Sequence, residues 1–432
     1  QSAVPNGLTP GGLVTAPGAG AVPGVWTGAD LPTQAQGGGR TTVTVRQTEQ
    51  KAILNWSSFN VGRETNLHFD QGAGGANASS WTALNRVTDP SLAPSRILGT
   101  IKAEGQVYVI NKNGIIFGGS SQINVNTFVA SSLSLSDEQF RAGINKQLMV
   151  FDDSLGSGAS IAKPQFGYLG QQSPNQSVGL DDPSQVAGAI IGDAPGDVRI
   201  EAGAQMTMAS GGKALIFAPH VLNSGRISAP DGQVIMAAGE QIYLTTDQFG
   251  VRGLDVAVSA PMRWMFDYYH MATVTDQGNW SSDNDYTLGL KNVVFPEMAA
   301  RGASVGYNVV NNGMVQADHG NITLMSREIV QNGALEASTA LNNREGSIRL
   351  RAWGEGMMSY GSSMPVGSPL RYWSTGTLVL GSGSVTTAMP DLTDTSDIEL
   401  PSLATRYSPG RIEMRGKFID IEARASVIVP AG

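Results

Sequence analysis

The sequence predicts an all-β fold: a right-handed parallel β-helix, or solenoid, with amino-terminal capping strands and extra-helical insertions. Three observations predict it. Asn-Gly turns followed by short strand-like runs recur, and those at Asn312-Gly313 and Asn332-Gly333 lie 20 residues apart. Charged residues are only 15% of the chain, against roughly 25% in ordinary globular domains, while 54 glycines punctuate it. The repeating segments carry no helical periodicity and no Leu-x-x-Leu-x-Leu spacing of a horseshoe, and a propeller blade would need about twice the period. A β-sandwich with coincidental Asn-Gly turns is the competing architecture.

The elements follow in order along the chain. The first stretch, to about residue 45, is rich in Gly, Pro and Ala until Thr41-Thr42-Val43-Thr44-Val45 alternates as a strand does. Val107-Tyr108-Val109-Ile110 and Ile115-Ile116-Phe117 read as strands on either side of an Asn-Gly turn, and Ile123-Asn124-Val125-Asn126 alternates. Ser134 to Phe140, with Asp137 and Glu138 near its start, reads as a short helix behind a Ser cap. The Gly- and Pro-bearing stretch that follows, to about residue 195, reads as an excursion from the main body.

Three copies then define the repeat. Asn223-Ser224-Gly225 leads to Gly232-Gln233-Val234-Ile235, Asn312-Gly313 to Gly320-Asn321-Ile322, and Asn332-Gly333 to Gly346-Ser347-Ile348. Weaker copies begin at Gly196, Gly376 and Gly410. Each copy holds two short strands between Gly turns, too little to bury its own apolar face, so stacking at strand spacing must hide that face and pair the backbone. Two aromatic-rich insertions interrupt the series, at about 260–303 and 353–375. Insertions in solenoids gather on one face, often the binding one, which makes Trp264, Tyr268, Tyr269, Trp280 and Trp373 candidate ligand-binding aromatics.

Composition excludes some classes of function. The net charge is −8, with no Lys/Arg cluster that would track phosphates, so nucleic acid is not an expected partner. No apolar run approaches the ~20 residues of a membrane-spanning helix. The chain contains no cysteine, which suits a protein that crosses an oxidising compartment unfolded. The beginning carries no signal-peptide pattern, and the end, just past a strand-like run, reads as a truncation.

Residues 54 to 133 resemble the secretion domain of two-partner secretion exoproteins, the group of filamentous haemagglutinin and the high-molecular-weight adhesins. The matching stretches run from Leu54 to Val61, Leu84-Asn85-Arg86-Val87, Ile97 to Ile101, Gly105 to Ile115 and Ile123 to Leu133. The family's Asn-Pro-Asn-Gly motif stands here as Asn111-Lys112-Asn113-Gly114. Lys in place of Pro gives up the fixed φ at that position, while both Asn and the Gly retain their tolerance of left-handed backbone. The resemblance implies a secreted or surface-held adhesin, exported through the periplasm and across the outer membrane by a β-barrel partner (TpsB-like, with POTRA domains). It makes Asn111, Asn113, Gly114, Asn85 and Arg86 candidates for partner recognition or for β-helix turns. It also implies residues 1–195 as the secretion domain with its cap and excursion, and 196–432 as a continuing stalk. Host-cell or matrix glycans or proteins are the expected ligands. Haem acquisition, cytolysis and toxin delivery are alternatives within the same family.

The other class is a polysaccharide-active enzyme, since β-helices host those too. It would need paired carboxylates in a groove, and the candidates are Asp267, Asp276, Asp283, Asp285, Asp391, Asp394 and Asp397. Acidic loops are more often solvated turns, and no catalytic residue is assigned. Gly302-Ala303-Ser304-Val305-Gly306 fits a nucleophile-elbow string but leads into a strand, not a helix. His68, His220, His270 and His319 show no metal-ligand spacing, so neither metal nor cofactor is expected; His319, at a repeat turn, reads as a surface residue.

Overall fold

A computed structural model describes residues 3–146, 149–151, 160–162, 165–167, 195–239, 241–246, 253–259, 307–340, 344–352, 376–395 and 410–430. The described strands form three sheets of eleven, eight and eleven strands, parallel apart from the amino-terminal cap and here called faces I, II and III. One coil shows the path: Gln106–Asn111 on face I, Ile115–Phe117 on face II and Gln122–Val125 on face III, before Thr127–Ser131 returns to face I. The β-helix is therefore as expected, with one correction. Each coil holds three strands where the repeat reading found two: face II strands were read singly but not counted into the repeat. The weaker copies at Gly196 and Gly376 open face II strands, Val198–Ile200 and Thr377–Leu380, whereas Gly410 precedes the face I strand Arg411–Arg415.

Stacking in register puts like against like. On face I the inward column runs Val107, Phe128, Ala214, Val234, Ile322, Ile348, all in one continuous buried core. Apolar side chains at strand spacing give up their hydration to their neighbours in every coil, at roughly 25 cal/mol per Å². The backbone ladders close at the same time.

Corners carry the polar residues. At the corner from face II to face III, Asn223, Asn311 and Gln331 are buried in a ladder. Asn223 Nδ2 donates to Asn311 Oδ1 at 2.7 Å, and Asn311 Nδ2 to Gln331 Oε1 at 2.7 Å. The turns at Asn312-Gly313 and Asn332-Gly333 sit at this corner. Asn111-Lys112-Asn113-Gly114 lies instead between faces I and II, so it is a coil corner of a different kind from those at Asn312-Gly313 and Asn332-Gly333.

The amino-terminal end is capped. Leu13–Thr15 and Trp26–Thr27 pair antiparallel with the face I strand Lys51–Phe59, and Thr33–Gly37 pairs antiparallel with Arg40–Arg46 on face III. Trp26 and Trp56 meet edge to face at 5.0 Å, closing the solenoid's end. Capping strands of opposite direction blunt an edge that would otherwise accept another chain.

The long excursions leave from one corner. They run from Ser131 to Val198, from Ala238 to Asn308 and from Ala352 to Thr377, each between a face I and a face II strand. The helix of the first, α1 (Asp137–Ala142), is capped by Ser136, whose Oγ accepts from Gln139 N, two residues later than the expected start. The strand Phe166–Gly167 pairs with Gln241–Thr246, itself paired with Leu254–Ser259, so the first and second excursions share a small antiparallel sheet. Gln165 fastens it, donating to Leu244 O at 2.7 Å and accepting from Leu244 N at 2.9 Å. These pieces cover the outer side of face I and build a second core there, with Leu84, Tyr108, Val129, Leu215 and Ile235 as its outward column.

Candidate functional site

The residues singled out by the resemblance gather on two adjacent coils. Asn111 closes a face I strand with its side chain turned to its own corner: Oδ1 accepts from Asn113 N at 2.9 Å and Nδ2 donates to Ser95 Oγ at 2.9 Å. Gly114 has φ +102, and a Cβ there would stand 2.6 Å from Asp197 O, so both conformation and space call for glycine. Asn85 points into the solenoid, where Trp56 Nε1 donates to its Oδ1 at 2.9 Å and its Nδ2 donates to Tyr108 O at 3.1 Å. An asparagine satisfies a buried indole N–H that an aliphatic residue would leave orphaned. Arg86, on the opposite side of the same strand, reaches outward. Its Nη2 donates to Leu135 O at 2.9 Å and to Asp137 Oδ1 at 2.7 Å, tying the start of α1 to face I.

Accessibility separates these residues. Asn85, Asn111 and Gly114 are buried in the folded coil, Asn113 is half-buried and Lys112 is exposed. A partner meeting the folded protein at this corner would touch Lys112 and Asn113, whereas an unfolded segment would offer all of them.

Trp264, Tyr268, Tyr269, Trp280 and Trp373 lie outside the described residues, as do Asp267, Asp276, Asp283, Asp285, Asp397, His270 and Ser304. Asp391 and Asp394 are described, and Asp391 belongs to a cross-coil network at the corner from face III to face I. His319 Nε2 meets Asp391 Oδ2 at 2.8 Å, and its Nδ1 meets Asp231 Oδ1 at 3.2 Å. Arg344 Nη2 donates to the same Asp231 oxygen at 2.5 Å. His319 is therefore not a free surface residue: its side chain is only 14% exposed, held at φ +52 between two carboxylates. Burial pushes the Asp231 carboxyl upward, but hydrogen bonds from Arg344, Ser210 and His319 outweigh it and hold it at about 2. The Thr393 hydroxyl and N–H, with His319, hold Asp391 at about 2. Two carboxylates kept ionised this firmly are poor general acids at neutral pH. The network reads as a brace between coils.

Sequence reasoning missed the Asn85–Trp56 pair and the role of Arg86 as a tether. A continuous apolar run such as Ala214-Leu215-Ile216-Phe217, which marks a strand buried on both sides, was the available sign that face I is covered from outside.

The comparisons with known proteins add a family to this parallel β-helix with its antiparallel cap. Residues 25–168 match the family model of the TPS secretion domain. The chain therefore carries a two-partner secretion domain and belongs to the route that leads through the periplasm and outer membrane to the cell surface or medium. It is similar to the crystal structure of the HMW1 secretion domain from Haemophilus influenzae, with a TM-score of 0.51 and 18% identity over 94% of this chain and 84% of that one, a likeness of fold. It is also 33% identical over 93 residues to two heme/hemopexin-binding proteins of H. influenzae, one of them from strain Rd. The match takes in 22% of this chain but only 9% and 10% of those proteins, so the chain spans a small part of their length.

Proposed function

We propose that residues 1–195 are the export signal of a non-enzymatic adhesin and that residues 196–432 continue its stalk. The observation that carries this reading is the secretion-domain match, which takes in part of the cap, the first coils and α1. The partner is an outer-membrane β-barrel transporter with periplasmic POTRA domains. It meets the chain before folding, when Asn85, Asn111 and Gly114 are still open to it. Outside the cell the capped first coils template the following ones, because each coil rests on its neighbour. Folding outside then opposes back-sliding without ATP.

The test is binding of the partner's POTRA domains to the chain in two states. Urea-unfolded chain diluted into the assay should be captured, and pre-folded chain should bind at least about tenfold more weakly, a difference of about 1.4 kcal/mol. Equal capture of both states would remove the unfolded-recognition step.

A second reading, haem acquisition, is favoured by the heme/hemopexin-binding relatives. A Soret shift on titrating the chain with haem supports it, and an unchanged haem spectrum counts against it.

A further inference from the structure

On the outer side of face I, a groove of about 510 Å³ crosses the strands between α1 and the start of the strand Leu254–Ser259. That is within the usual span of ligand sites, roughly 300–1,000 Å³. Its floor is a column of polar side chains, one per coil. Lys51, Thr82, Gln106 and Thr127 follow in register, and Lys213 comes next, its N–H donating to Thr127 Oγ1 at 3.1 Å. Four steps at strand spacing set Lys51 and Lys213 roughly 19 Å apart. The wall is apolar: Phe140 packs edge to face on Tyr108 at 5.9 Å, with Ile144 and Leu254 beside them.

The charge here runs against that of the whole chain. The protein carries 36 Asp and Glu against 28 Lys and Arg, yet no carboxylate of the described residues lines the groove. Lys51 Nζ donates to the carbonyls of Phe140, at 3.2 Å, and of Arg141. The Lys213 ammonium, by contrast, has no hydrogen-bond or ion-pair partner among the described residues. Burial lowers the pKa of both amines, and Lys146 and Arg141 lower Lys51 further by repulsion. Desolvated ammonium groups without a counter-ion are costly, and an anion brought to them relieves that cost.

We propose that this groove binds an anionic oligosaccharide laid across the strands, with its acid groups at the Lys51 and Lys213 ends. Thr and Gln side chains repeating about every 4.8 Å suit a hydroxyl-bearing chain with a similar repeat, while Phe140 and Tyr108, only 2% and 4% exposed, shape its wall. A lipid tail would leave the polar floor unpaired. A peptide strand needs a free sheet edge, and the face I strands beneath the groove are paired on both sides. The inference deepens the adhesive reading and rests on it only for the source of the sugar.

Isothermal titration of the whole chain tests it with three probes: a carboxylated tetragalacturonate, a sulfated heparin-derived tetrasaccharide and neutral cellotetraose. Either acidic sugar should bind, more weakly as salt rises, and the preferred one indicates the source. Lys213→Gln should weaken binding about tenfold or more without changing the melting temperature, while Lys213→Arg should keep it. No heat with either acidic sugar, equal binding of cellotetraose, or unchanged binding by Lys213→Gln would overturn the assignment. Sugar binding without any cell adhesion would overturn the adhesive reading and leave the groove standing.

Discussion

Faces I and III share one backbone plan but not one sequence grammar. On face III, Gln205–Met208 alternates exposed and buried, with Met206 and Met208 inside and Gln205 and Thr207 outside. On face I, Lys213–Ala218 is buried at every position after the first. The strands are of the same kind, and the neighbours differ: face III meets water on its outer side, while face I lies under α1 and the antiparallel sheet of the first two excursions. Covering, not strand formation, decides how many apolar residues a coil must carry. The excursions are therefore part of the fold's stability as well as its surface.

The largest test of this contrast is a pair of truncations on the outer sides of the two faces. Leu215→Ala, in the covered outward column, should cost about 2–5 kcal/mol, and Thr207→Ala should stay within about 0.5 kcal/mol. Urea unfolding followed by circular dichroism reads both, and equal costs would mean that the second core contributes nothing. On the inner side of face I, Asn85→Ala leaves the Trp56 indole N–H without an acceptor and should cost about 1–3 kcal/mol. A red shift of Trp emission before global unfolding would report where the damage begins.

The smallest effect belongs to the corner from face III to face I. Asp231 and Asp391 are held at about 2, below the ordinary 3.8. Their contribution is present above the unfolded value and is lost as pH falls from about 4 towards 2. The melting temperature of Asp391→Asn should therefore drop less over that interval than that of the natural sequence. Partial exposure and salt screening keep the difference to a few degrees at most; an identical acid profile would show that the brace is only geometric.

Much of this was legible in the chain itself, for physical reasons. Strands at 106–111, 115–117 and 122–125 announced themselves by β-branched runs around a Gly turn, and the Asn-Gly spacing gave the coil. That spacing was readable only where no excursion intervenes: Asn311 and Gln331 are 20 residues apart, whereas Asn223 and Asn311, neighbours in the same ladder, are 88 apart. The face II strands were read singly, at 115–117 and at the Gly196 and Gly376 copies, but not as a third face, because strands as short as Val198–Ile200 leave no periodicity to count. His319 looked like an exposed turn residue because its partners Asp231 and Asp391 lie 88 and 72 positions away, beyond any local pattern. The groove with Lys51 and Lys213 was invisible for the same reason, since only coil stacking brings those lysines onto one floor.

The most direct measurement of the central claim is export itself. The chain and a version lacking residues 41–134, each behind a signal peptide, would be expressed with the partner transporter and followed in the medium by immunoblot. The account predicts full-length chain in the medium and the deletion held in the periplasm. Equal amounts of both in the medium would contradict it.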